Sequence, residues 1–385
     1  MCFRLGQLFL YGVVGLHISW AALSHRYNDP SSRIAQFYEL PQRPKLVGPL
    51  AINEKLQNVE YILKGQITGP ESLVVEGDSI YTGLYDGRVV LIRNSTIVKE
   101  VRFTKTEQCG SIDSEPSCGR PLGIRRLNEK EMVVADAYLG IFIVNFDAGT
   151  FRHIVKSSTP IEGRYMRFVN DVEVLNADEI IFTDSSSKWD RRHFFSVFLD
   201  SVPNGRIFKH KISTGKTEVL SDNLYFPNGI QLHPDGDSVL FAECSKATIS
   251  RLNLQTNEIT PFATNLPGFP DNIRKGANNT LWVGLAGVRH IDSRSIIDTL
   301  ETYPLLRQIL LDIVPSHWWV KNLHLVRPPH AMIIQLDAQG EIVQSMHDTK
   351  GKHIQDVSQV SQSGDYLFLG SFHSKYIAKL HYPGL

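Results

Sequence analysis

Three short stretches of this chain set a side-chain oxygen donor just after an aromatic residue. RFVND carries Asn170, YFPNG carries Asn228, and GFPDN carries Asp271 followed by Asn272. A fourth stretch, GPE, offers Glu71. Carboxylates and amide carbonyls are hard ligands, and calcium takes about six to eight of them. Glu71 and Asp271 supply two negative charges, which match a divalent cation. Asn170 and Asn228 add oxygens without adding charge. Four or five protein oxygens leave coordination open to water or substrate, the condition for polarising a carbonyl. No ring of Cys or His competes for a softer metal. A lone Asn or Asp at a strand start is ordinarily a turn device. Recurrence of the aromatic-x-Asn/Asp form at three openings is what points to a shared site.

Such residues meet only if a repeat brings them together. From about residue 61, short β-rich runs alternate with turn signals, as in ESLVVEGDSIYTGLYDGRVVLI, EMVVADAYLGIFIVNF and DEIIFTDSSS. Unit openings fall near Glu71, Gly123, Asn170, Asn228, Asp271 and Ser358. Four short strands per unit of roughly 50 residues is the signature of β-propeller blades. The expected fold is all-β: a six-bladed propeller over residues 61–385. The first strand of each blade lines the central channel, so the openings converge on the axis. Residues 289–330, including SIIDTLETYPLLRQILLDIVPSHWWV, read as a partly helical, apolar insertion in the fifth blade. It is placed to cover the pocket, to touch a membrane, or simply to pack on the surface.

Lys plus Arg is 40 and Asp plus Glu is 40, so the formal charge is zero. That argues against a nucleic-acid binder, which needs a basic excess. Residues 5–23 carry no charged side chain. As a helix they span roughly 28 Å, close to the bilayer core of about 30 Å. After a short tail at 1–4, this reads as a transmembrane signal anchor. Ala21, Ala22 and Ser24 keep a cleaved signal peptide open as the alternative. Residues 24–60, Pro-rich around PQRPKLVGP, read as a stalk. Cys109 and Cys118 flank a polar loop and could close a disulfide in a secretory compartment, whereas Cys244 reads as a buried hydrophobe. Asn94 and Asn278 begin glycosylation sequons.

Other motifs are weak. GKT at 215–217 lacks the upstream Gly of a phosphate loop and reads as a hairpin. Ser185, Ser186 and Ser187 have no base beside them in sequence. Trp189, Arg191 and Arg192 are candidate substrate contacts at the pocket mouth, and His373 is a candidate pocket residue. Trp318 and Trp319 read as packing or membrane-interface residues.

The stretches CGRPLGIR, VADAYLG, TPIEG, FVND, FTDSSSKWDRR, FPNG, FPDNIR and LGSF together resemble the strictosidine synthase-like family of six-bladed propellers. The wider superfamily includes paraoxonases, diisopropyl fluorophosphatase and gluconolactonase-like enzymes. The resemblance implies that Glu71, Asn170, Asn228 and Asp271 hold calcium, with Asn272 a further candidate, and that Asp271 doubles as nucleophile or base. It also implies a Cys109–Cys118 disulfide and a type II membrane protein with its propeller lumenal or extracellular. Two departures limit the carry-over. Leu122 stands where paraoxonases carry a catalytic His. Ser358 stands where the plant synthases carry a Glu, so an alkaloid-forming condensation is not expected; Asp356 is the nearest carboxylate. The expectation is a calcium-dependent hydrolase of small apolar esters or lactones. The alternative is a partner-binding propeller whose calcium is purely structural.

Overall fold

The computed structural model describes residues 35–293 and 295–383. The expected transmembrane segment, residues 5–23, lies outside them. Among the described residues, no helix is long and apolar enough to cross a membrane.

Six four-stranded antiparallel sheets make the propeller. Five blades are continuous in sequence: residues 73–102, 121–156, 169–224, 227–263 and 268–348. The sixth joins residues 359–381 to Val59–Ile62, which pairs as its outermost strand with Ile377–His381. This pairing closes the ring by tying the start of the fold to its end. Residues 35–60 are therefore not a free stalk. Leu40 enters the cluster beside the cavity, and Leu56 is buried between blades five and six. Apolar side chains at these two positions hold the segment down.

Strand composition follows blade position. A middle strand is covered on both faces by neighbouring blades, so it reads as a continuous apolar run; Glu131–Asp136 and Ser238–Glu243 are almost wholly buried. An outer strand such as Thr96–Arg102 keeps an alternating pattern. Apart from the cluster beside the cavity, each core cluster spans two adjacent blades. Tyr81 and Leu91 of blade one meet Met132 and Val144 of blade two, and Phe368 and Ile377 of blade six meet Ile80 and Val90 of blade one.

Two insertions depart from the plain propeller. One links the second and third strands of blade three and contains the helix Phe194–Asp200. The other links the same strands of blade five. It holds the helices Ile296–Leu300, Pro304–Ile313, Ser316–Lys321 and Leu323–Val326. Both lie at the end of the channel where the innermost strands begin, and they dock on each other. Phe195 stacks on Trp319 at 4.5 Å between centroids. Buried Arg307 donates to the Leu199 carbonyl at 2.6 Å, to Ser201 Oγ at 2.8 Å and to the Gln36 carbonyl. Together they roof the cavity.

Candidate functional site

The innermost strands Pro121–Arg126, Val169–Val174, Pro227–Leu232 and Gly268–Lys275 share one irregularity. In each, three residue steps face two on the neighbouring strand. Such a bulge bends a strand and re-aims a side chain. The bulged pairs are Leu122-Gly123, Asn170-Asp171, Asn228-Gly229 and Asp271-Asn272. The glycines follow from crowding: a Cβ on Gly229 would come within 2.5 Å of the Asp271 carbonyl oxygen. YFPNG therefore ends in Gly because the next blade presses against it.

The structure brings Glu71, Asn170, Asn228 and Asp271 into the lining of one cavity of about 820 Å³, mouth included. Asn272 is buried beside Asp271 but does not line the cavity. Asn170 Oδ1, Asn228 Oδ1, Asp271 Oδ1 and Asn272 Oδ1 are all buried without a hydrogen-bond partner among the described residues. Buried acceptors are rarely left so. For Asn170 the neighbouring hydrogen bonds explain the orientation. Its Nδ2 donates to Ser185 Oγ at 3.0 Å, and Ser185 donates onward to the Pro227 carbonyl at 2.7 Å. Ser185 is thus a positioning residue rather than a nucleophile: by holding the Nδ2 side of the Asn170 amide it leaves the amide oxygen on the opposite side, without a protein donor.

Burial raises the Glu71 carboxyl, opposed by Arg120 and Arg191. Burial, and then the Glu71 charge, push Asp271 well above the ordinary carboxylate range. Among the described residues Asp271 has no ion-pair partner, whereas Glu71 has Arg120 at 3.5 Å. The simple count of two charges for one ion needs correction. Arg120 is fully buried and fixed by the carbonyls of Gly69, Phe372 and Pro121. Arg191 also lines the cavity and is paired to Glu115 at 2.5 Å, while Tyr138 donates to the other Glu115 oxygen at 2.7 Å. The local set is therefore three carboxylates against two guanidiniums. Asp271 is the carboxylate without a countercharge. Below the ring, Asp171 plugs the channel. Burial works against its charge, but Arg125 and Arg274 outweigh it and hold its carboxyl low.

A hard cation fits this donor set: two carboxylates, amide oxygens with unused lone pairs, and an excess of negative charge. Among the described residues no cluster of three or more His, Cys, Asp and Glu offers a softer metal a site.

The walls are apolar. Phe168, Phe226 and Phe269, the aromatics of the three motifs, line the cavity with Phe194, Phe195 and Phe198 from the roof. Phe226 holds a left-handed φ of 53°, a conformation that costs a non-Gly residue about 1–3 kcal/mol. Leu122 faces the cavity, and among the described residues no His lines it, His373 included. Ser358 is fully buried and reaches Asp271 with its hydroxyl. Asp356 lies outside the lining, paired with Arg327 and, at 2.9 Å, with His373. Trp189 donates to Asp200 and Arg192 pairs with Asp190, both in structural roles. Cys244 is a free, buried thiol in the cavity wall, pushed up by burial and by the Asp271 charge. Arg120, Glu115 and the roof phenylalanines carry no recurring motif and were not expected.

The Cys109–Cys118 disulfide is formed. It closes the loop that carries Glu115, and so supports Arg191. Asn94 and Asn278 are exposed in loops at the far end of the propeller from the roof.

A strictosidine synthase family model matches residues 170–257, and a strictosidine synthase-like N-terminal model matches residues 48–92. The adipocyte plasma membrane-associated protein of Mus musculus is 37% identical over 349 residues, covering 90% of this chain and 83% of the relative. The chain belongs to the strictosidine synthase-like family. Its Homo sapiens relative of the same description is 38% identical over 341 residues, covering 88% of this chain and 81% of the relative. Strictosidine synthase-like 3 of Arabidopsis thaliana is 31% identical over 346 residues, covering 85% and 86%. Among solved structures, a gluconolactonase of Xanthomonas campestris covers 91% of this chain and 99% of its own, with TM-score 0.53 at 14% identity. A calcium-binding regucalcin of Agrobacterium tumefaciens covers 83% and 92%, with TM-score 0.53 at 11% identity. At those identities the likeness establishes the fold alone. Within the strictosidine synthase-like family, then, this member presents an apolar-walled cavity with four oxygen-bearing side chains in its lining, under a two-part helical roof.

Proposed function

We propose that the protein is a membrane-tethered, calcium-binding propeller that hydrolyses small apolar esters or lactones. One observation carries the reading: four buried side-chain oxygens, at three successive blade openings, have no hydrogen-bond partner among the described residues. Glu71, Asn170, Asn228 and Asp271 would hold the ion, with Asn272 behind them. Calcium bound there would supply Lewis acidity toward an ester carbonyl.

The chain's own residues do the rest. The phenylalanine walls bind the acyl or aryl part and exclude water from it. Asp271, unpaired and raised by burial, takes a proton from a water molecule at its free Oδ1. The water oxygen bonds to the acyl carbon, the carbon–oxygen bond to the alcohol breaks, and the proton passes to the leaving alkoxide. Ser358 cannot act as an acid or base at neutral pH in the manner of a carboxylate, so an alkaloid-forming condensation is not proposed. The membrane tether is residues 5–23, in line with relatives described as plasma membrane-associated. A second reading keeps the calcium structural and the cavity a binding site for a partner; Leu122 in place of a catalytic imidazole favours it.

The test is aryl-ester and lactone hydrolysis by the full chain, with and without a calcium chelator, beside Asp271→Ala. Hydrolysis lost on chelation and in the variant is expected. A calcium-loaded, folded protein that turns over neither substrate class refutes the enzyme reading and leaves the structural one.

A further inference from the structure

The helix Pro304–Ile313 is apolar on two sides: Leu310 and Leu311 pack against the cluster beside the cavity, and a second set of apolar side chains is left outside. Its buried side chains are Arg307 and Gln308. Leu305, Leu306 and Ile313 are exposed, the last at 67%. Leu306, Ile309 and Ile313 fall at helical spacing on one stripe; its two ends are exposed and Ile309 between them is half-buried. Tyr303 before the helix and Trp318 and Leu325 after it extend the apolar surface. A globular protein gains nothing from exposing such a face to water; clustered exposed apolar groups mark an interaction surface.

What covers it follows from where the described chain begins. Ala35 N donates to Gln308 Oε1 at 3.0 Å, Gln36 N to the Asp200 carbonyl at 2.8 Å, and Arg307 to the Gln36 carbonyl. The chain therefore enters the propeller against this same helix. Residues 24–34 link it to the uncharged stretch 5–23. Eleven residues reach at most about 40 Å, so the roof lies near whatever holds the stretch. Both sequons, Asn94 and Asn278, sit at the opposite end, where glycans do not obstruct it. Trp and Tyr flanking an apolar stripe suit the headgroup boundary.

We propose that the roof docks on the lipid bilayer through Leu305, Leu306, Ile313 and Trp318, so that the cavity faces the membrane and takes apolar esters partitioned in it. The cavity wall includes Leu323 and Val326 of the same insertion, so the lipid surface and the pocket share one element. The proposal rests on the membrane-tether reading for its geometry.

The test uses the full chain with Cys2→Ser, bound to phosphatidylcholine vesicles. An environment-sensitive dye is attached at Leu306→Cys, at Ile313→Cys, or at Thr214→Cys in a hairpin of the far end. Quenching by spin-labelled lipid at the first two positions and not at the third is expected. Equal access of aqueous iodide to all three, on protein that floats with the vesicles, overturns docking while leaving the tether intact. Blue-shifted fluorescence at Leu306 that depends on protein concentration and ignores spin-labelled lipid assigns the face to a second copy, and also overturns it. Val13→Arg with Val14→Arg separates the two readings. Loss of flotation upholds the tether. Retained flotation with lipid quenching at Leu306 refutes the tether and keeps the docking surface.

Discussion

Replacing Asp271 by Asn tests the site through stability, without any substrate. Asp271 is the one carboxylate of the ring without a cation partner. With free calcium about 100-fold above its Kd, binding stabilises the wild type by about 2.7 kcal/mol. A chain of this length unfolds with an entropy of roughly 0.7 kcal/mol/K, so the melting temperature rises by about 4 °C. If the Asn variant loses a hundredfold in affinity, the same calcium gives roughly 0.4 kcal/mol, about 0.6 °C. With chelator the order reverses. The raised carboxyl binds its proton more tightly folded than unfolded, so stability falls as pH rises from about 4 through the folded pKa. Asn carries no such penalty, and the chelated variant should melt above the chelated wild type. Differential scanning calorimetry at pH 7.5, with calcium and with chelator, gives four numbers. Equal wild-type melting in both conditions, or a full calcium shift in the variant, refutes the assignment of Asp271 as a ligand.

Three further outcomes are expected. His290, His330 and His347 form a buried string, 3.3 Å and 2.9 Å between ring nitrogens, ending on Ser345 at 2.7 Å; burial and then the neighbouring rings depress His330 and His347 to about 4. A depressed His costs stability as pH falls below its unfolded pKa of about 6.5, so each ring should withdraw on the order of 2 kcal/mol by pH 4.5; His347→Gln should flatten the melting profile, and an unchanged slope counts against the string. Cys118→Ser opens a loop with a sequence separation of 9, which should cost about 2–3 kcal/mol and loosen Arg191 through Glu115, read as a raised KM. Arg307→Met strands the Leu199 and Gln36 carbonyls and should cost about 3–5 kcal/mol, felt at the roof; limited proteolysis should cut within residues 301–327 while the blades survive, and unchanged resistance there would show that Arg307 does not hold the roof.

The repeat was legible because blade strands need local patterns: apolar runs, turn dipeptides, and an opening residue of one chemical kind. Glu71, Asn170, Asn228 and Asp271 were found by their shared place in that repeat. The blade-five insertion was visible as an apolar, helical break between two strands. Residues 35–60 misled because Pro-rich, polar chain resembles a linker; its few apolar anchors, Leu40 and Leu56, find partners far away in sequence.

Sequence by itself determined six blades, their order and the oxygen donors at their openings, since strand periodicity and recurrence are local properties. Only the tertiary structure decided what those donors face. Arg120 reaches Glu71 because one blade's opening loop lies against its neighbour's, and no pattern along the chain records that proximity. Ser185 orients Asn170 from just past the end of the next strand, across a bulge. The roof exists because Phe195 and Trp319, on insertions of different blades, stack over the channel. Charge balance, amide orientation and cavity closure are sums over residues distant in sequence, and folding alone brings those residues within hydrogen-bond reach.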